Sequence, residues 1–186
     1  MVDFTTVNFV SGGTNCVGQL YLPSIVGGVL PCVVLAHGFS GTQDTPSIRA
    51  AAQAFAEAGF AALTFDFRHF GASDGRPRQL ITIDGQQEDI RAAVRWARSH
   101  PSIDPDRVAL WGTSLGGSHV IAVAADDPRL AAVVAQVPFN GFPKRVEGRS
   151  WWTAVRLLWA MIDDTVRGWL HLPPHYVPVA GARARA

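Results

Sequence analysis

The chain has 186 residues, 48% of them hydrophobic and 17% charged, and a net charge of +1. That length supports one sizeable core, and the near-zero charge gives no electrostatic case for nucleic acid or an anionic membrane surface as partner. No run of about 18 uncharged apolar residues is present and the N-terminus has no signal-like segment, so no membrane span is expected and the expected location is the cytoplasm.

The elements alternate along the chain. Val2 to Phe9 and Val17 to Leu22 have strand composition and flank Gly12-Gly13. Cys32 to Ala36 is a short continuous apolar run, the pattern of a strand buried on both faces. Thr45-Pro46 supplies an N-cap and a first-turn proline for a helix through Ile48, Ala52 and Phe55 that Gly59 ends. Phe60 to Phe67 reads as a second buried strand, and a Gly/Asp/Pro-rich loop follows from Gly71 to Pro77. Asp84 with Gln87 resembles a capping box, opening a helix that reaches about His100. Val108 to Trp111 is the next strand, Leu115 to Ala125 the next helix, and Leu130 to Val137 a further strand. This alternation predicts a parallel, doubly wound α/β sheet. Cys16 and Cys32 lack C-x-x-C spacing and are expected to be buried thiols.

After Pro138 the rhythm breaks. Phe139 to Ser150 is a Pro/Gly/basic loop, and Trp151 to Leu172 reads as a long helix with four tryptophans, interrupted by Asp163-Asp164. The expected division is residues 1–140 as core, 141–172 as a cap or lid segment, and 173–186 as an irregular tail. A helix simply packed on the sheet is the plainer reading of the middle segment.

Chemistry centres on Gly112-Thr113-Ser114-Leu115-Gly116. A serine hydroxyl is a poor nucleophile unless it is positioned, given a base and supplied with donors for the developing oxyanion. Glycines two before and two after Ser114, between a buried strand and a helix start, permit the sharp turn that holds its Oγ clear of the backbone. His37-Gly38-Phe39 ends the strand Cys32 to Ala36, at the same edge of the sheet, where open α/β folds bind ligands. The backbone N–H groups of Phe39 and Leu115 are the expected oxyanion donors. His37 is expected to hold its loop rather than act as base.

On these residues, with the loop Asp66-Phe67-Arg68-His69-Phe70-Gly71-Ala72-Ser73-Asp74-Gly75 and Gly117, the chain resembles the α/β-hydrolase superfamily. It is most similar to the dienelactone-hydrolase-like and X-Pro-dipeptidyl-peptidase-like esterases and peptidases. The motifs span most of residues 4 to 139. Dienelactone hydrolases proper carry cysteine as nucleophile, so Ser114 argues against that activity. The resemblance implies an α/β-hydrolase-type, mostly parallel sheet with helices on both faces. It also implies acyl transfer on a small-molecule ester or amide, with neither cofactor nor metal, since no His/Cys/Asp cluster has ligand spacing.

The family's acid and base follow the nucleophile in the chain, on loops after the last strands, and this sequence carries no strand pattern after Val137. Asn140 stands where some relatives place the acid. The remaining candidates are Asp163 and Asp164 for the acid, and His171 and His175 for the base, each with a solvated-surface reading beside it. His69, His100 and His119 read as structural. The Ala/Gly/Arg ending Ala180 to Ala186 resembles a GC-rich frame read out of register. The expectation is therefore a truncated copy lacking the last strands, with impaired activity and an exposed sheet edge open to self-association. The alternative is an inactive fragment or binding module that retains the fold.

Overall fold

A computed structural model describes residues 3–24, 28–141 and 151–176. The expected loop beyond Gly141 and the tail beyond Tyr176 fall outside the described residues. The chain divides into two compact units, Met1–Asn140 and Gly141–Ala186.

The first unit is a six-stranded sheet, β1 (Phe4–Ser11), β2 (Thr14–Tyr21), β3 (Leu30–Ala36), β4 (Ala61–Phe65), β5 (Ile103–Thr113) and β6 (Val133–Gln136), ordered β1-β2-β4-β3-β5-β6. The pairs from β4 through β6 are parallel, as expected. The first two strands form an antiparallel hairpin instead, which docks antiparallel on β4. A direct turn at Gly12-Gly13 joins them, and a two-residue connection is too short for a parallel crossover.

Helices α1 (Pro46–Glu57), α2 (Ile83–Ser99) and α3 (Leu115–Ala125) cover the sheet. The period of two along β3 explains the layering. Cys32, Val34 and Ala36 enter a core shared with Ile90, Val94, Val120 and Val123 of α2 and α3. Val33 and Leu35 enter a smaller one with Ala52 and Ala56 of α1. Both β3 faces are thus buried, which is why its sequence is continuously apolar.

Thr45 does precede α1, but its side chain makes no capping bond; Oγ1 accepts the Thr42 N–H at 3.0 Å. Gly59 ends α1 in a Schellman motif, its φ of +92° allowing Phe60 N–H to reach Phe55 O and Gly59 N–H to reach Ala56 O. The Phe55 and Phe60 rings close that motif at 6.2 Å. The Asp84 capping box does not form. Thr82 takes the N-cap position, and Asp84 sits within the first turn, where its charge complements the helix dipole. Strand β6 has four residues, shorter than the Leu130–Val137 expected. Leu130 N–H is drawn to Asp127 O in the turn after α3; Ala131 N–H and Ala132 O already bond β5, and the regular register runs from Val133 to Gln136.

The second unit contains α4 (Trp151–Trp169). It too ends in a Schellman motif, with His171 at φ +53°, His171 N–H on Gly168 O and Leu172 N–H on Arg167 O. No helix among the described residues is long and apolar enough to cross a membrane.

Candidate active site

Strand β5 runs into α3 through Ser114, whose φ of +53° and ψ of −120° form a strained turn for a non-glycine residue. The flanking glycines make that turn possible by close approach. A Cβ on Gly112 would lie 2.4 Å from Gly116 O, and one on Gly116 would lie 2.4 Å from both Ala36 O and His37 O. The elbow is therefore pressed onto the end of β3. Gly38 continues the contact: a Cβ there would meet Ser114 Cβ at 3.0 Å and Thr113 O at 3.1 Å.

Leu115 is the first residue of α3. Its N–H is among the four at a helix start that have no intrahelical acceptor, at the positive end of the helix dipole. Phe39 follows Gly38 directly, and its side chain is 55% exposed. The structure thus brings the loop bearing Phe39 and the turn bearing Leu115 against one another at Ser114.

Two further loop contacts fix this end of the sheet. Asp66, at the end of β4 and buried, accepts Gln43 N–H at 2.8 Å, Gln43 Nε2 at 3.0 Å and Ala72 N–H at 2.9 Å. It joins the β3–α1 loop to the β4–α2 loop. Two residues on, Arg68 donates its N–H and Nε to the fully buried Asp89 at 2.9 and 2.7 Å, and Nη2 to Glu88 and Ser11. Cys16 and Cys32 are free and buried. Burial, and for Cys16 the nearby Asp89 charge, push both thiols up to about 12, so neither is a nucleophile at neutral pH.

His37 lies buried beneath the loop, its Nδ1 bonded to Gly38 O at 2.9 Å and its ring edge-on to Phe67 at 4.7 Å. His119, on α3, is also buried, edge-on to Phe67 at 6.1 Å, and its Nε2 is hydrogen-bonded with Gln86 Oε1 at 2.9 Å. Burial lowers the pKa of both below the ordinary 6.5, and for His119 the proximity of His37 adds to this. The unfolded chain therefore takes up protons that the fold refuses. Stability is complete above pH 6.5 and falls as pH drops below it, by up to about 1.4 kcal/mol per pH unit for each histidine. Urea midpoints at pH 7 and 5.5 should differ in that sense, and His119→Gln should remove part of the slope.

Of the remaining predicted residues, the structure gathers Asp163, Asp164 and His175 and leaves His171 apart at the helix end. In the second unit His175 Nδ1 bonds Asp163 Oδ2, with both side chains nearly half exposed. Asp164 accepts the His175 backbone N–H at 2.8 Å, and His171 serves the α4 cap. Sequence reasoning missed Gln43, Gln86 and Val137. Val137 directly follows β6 at φ +46°, a conformation that costs a β-branched residue roughly 1–3 kcal/mol. Nothing in the sequence signals that strain.

Comparison with known proteins bears on this site. The model of the X-Pro dipeptidyl-peptidase (S15) family matches residues 12–172. The quorum-quenching protein AidA of Acinetobacter baumannii is 43% identical over 175 residues, 94% of this chain and 57% of its own length. The thiohydrolase aneE of Aspergillus aculeatus is 37% identical over 137 residues, 74% of this chain and 41% of its own. The chain therefore spans about half the length of these relatives. Among solved structures, the α/β hydrolase GrgF from Penicillium is 28% identical with a TM-score of 0.79, covering 97% of this chain and 60% of its own.

Proposed function

The chain belongs to the X-Pro dipeptidyl-peptidase (S15) family, a family of α/β hydrolases, and from that premise we propose that it performs acyl transfer through Ser114. The observation that carries this reading is the strained Ser114 turn lodged against Gly38. Ser114 Oγ attacks a carbonyl carbon, and the tetrahedral oxyanion accepts hydrogen bonds from the N–H groups of Phe39 and Leu115. Two preorganised backbone donors, one at the start of α3 and one in the β3–α1 loop, stabilise that charge without reorganising, and loss of one such donor typically costs about 10²- to 10³-fold in rate. The substrate is a small-molecule ester or amide. The relative named a thiohydrolase favours thioesters within that range.

Attack also needs a base for the Ser114 proton. With that proton removed, the tetrahedral intermediate collapses to an acyl-Ser114 and expels the alcohol, amine or thiol of the substrate, which takes the proton back from the base.

A fluorophosphonate probe tests the nucleophile. Wild-type protein should be labelled at Ser114, and Ser114→Ala should carry no label at that position by peptide mass spectrometry. Folded wild-type protein that takes no label would favour a binding module instead.

A further inference from the structure

Resting on Ser114 as nucleophile, we propose that Val137 is a specificity-determining residue that contacts an apolar acyl group on the substrate. The loop that carries it is built onto the nucleophile. Ser114 N–H donates to Gln136 O at 3.0 Å, and Phe139 N–H donates back to Ser114 O at 3.0 Å. Ser118, one turn along α3, donates its hydroxyl to Phe139 O. Gly117 lets the loop lie flat on the helix, since a Cβ there would come within 3.2 Å of Pro138 Cα. Only Val137 and Pro138 stand between two anchors that both end on Ser114.

This clamp holds Val137 at φ +46°, where glycine or asparagine would sit with less strain. The valine side chain gains no burial in exchange, being 79% exposed. A strained, uncovered, apolar side chain fixed within two residues of atoms bonded to the nucleophile is placed for something that is not part of this chain's core. Phe39 and Phe139, 55% and 37% exposed, are the other large apolar groups on the two segments adjoining Ser114. The stretch Gln136-Val137-Pro138-Phe139 contains no charge. The acyl group it suits is therefore an alkyl or aryl group rather than a carboxylate or ammonium.

Two methyl fluorophosphonates, one with a one-carbon and one with an eight-carbon chain on phosphorus, read this out, because the phosphorus substituent takes the acyl position in the Ser114 adduct. Wild type should react at least about 10-fold faster with the longer chain. Val137→Asn and Val137→Gly should each reduce that ratio about fivefold or more. Thermal unfolding provides a readout independent of labelling. Val137→Gly should unfold at or above the wild-type midpoint, whereas a valine with a packing role would lower it by several degrees. A chain-length ratio unchanged in both variants, or a clearly lowered Val137→Gly midpoint, overturns the assignment while leaving the nucleophile standing. Failure of both probes on wild type overturns the nucleophile first, and this assignment with it.

Discussion

Gly116→Ala is expected to lower stability by about 3 kcal/mol and to abolish Ser114 labelling in whatever fraction remains folded. The physical reason is the identity of the neighbours. The added Cβ would meet Ala36 O and His37 O at 2.4 Å and Ala36 C at 2.8 Å, all backbone atoms at the end of β3. A flexible side chain could swing aside, but these carbonyls are fixed by a strand paired on both sides, with β4 and β5. Relief must come from moving α3 away from β3, and overpacking of this kind costs typically 1–3 kcal/mol and sometimes more. The movement also separates Leu115 from the His37-Gly38-Phe39 segment, so the proposed donors no longer converge. Helix propensity works the other way, since alanine is worth up to about 1 kcal/mol over glycine inside a helix. Gly168→Ala, where a Cβ meets nothing within 4 Å, isolates that term. A urea series on the two variants should give shifts of opposite sign; equal shifts would refute the steric account.

The second large effect is expected at Asp89, whose carboxylate touches no part of the elbow. Asp89→Ala should destabilise the fold by about 3–5 kcal/mol, the usual result of removing one partner of a buried ion pair. The Asp89 side chain is wholly buried and that of Arg68 is 14% exposed. Burial opposes the Arg68 charge, and the Asp89 and Glu88 bonds more than offset it, holding the guanidinium above its ordinary range. Without Asp89 the guanidinium keeps Glu88, which is 47% exposed and a weaker partner in water. For a domain with a net stability of roughly 5–15 kcal/mol, this loss is a large fraction. Asp89→Asn retains a hydrogen-bond acceptor without the charge and should cost less than Asp89→Ala. Chemical denaturation of the three proteins at pH 7 checks the order; a loss below about 1 kcal/mol for Asp89→Ala would show that the pair is not structural.

The two predictions differ in how visible their residues are in the sequence. The need for glycine at 112 and 116 follows from a turn that spans five consecutive residues. The turn's requirements are local, and they are written at fixed spacing around Ser114. The same holds for the continuous apolar run of β3, for Gly59 at the end of α1, and for α3 itself, which forms over Leu115 to Ala125 as its sequence predicts. Asp89 carries no such mark. Its partner Arg68 lies 21 residues away, and on α2 an aspartate reads as one more solvated charge. Gln43 and Asp66, 23 residues apart, and Gln86 and His119, 33 apart, are hidden for the same reason.

Capping shows how a local rule can be overridden. Asp84 has the spacing of a capping box, yet the chain enters α2 two residues earlier than that box requires, with Thr82 at the N-cap. The antiparallel hairpin β1–β2 and the shortening of β6 are likewise decided by the sheet and by the turn after α3, neither of which the strand composition contains.

By itself, then, the sequence determined the order of strands and helices, the elbow at Ser114 and the loop that faces it, because each depends on backbone sterics and hydrophobic periodicity within about a dozen residues. Tertiary structure alone decided the pairing of Arg68 with Asp89 and of Asp66 with Gln43, and the strained perch of Val137. These depend on which surfaces the sheet brings together, and chain closure over 20 or more residues leaves no periodic trace in the residues it joins.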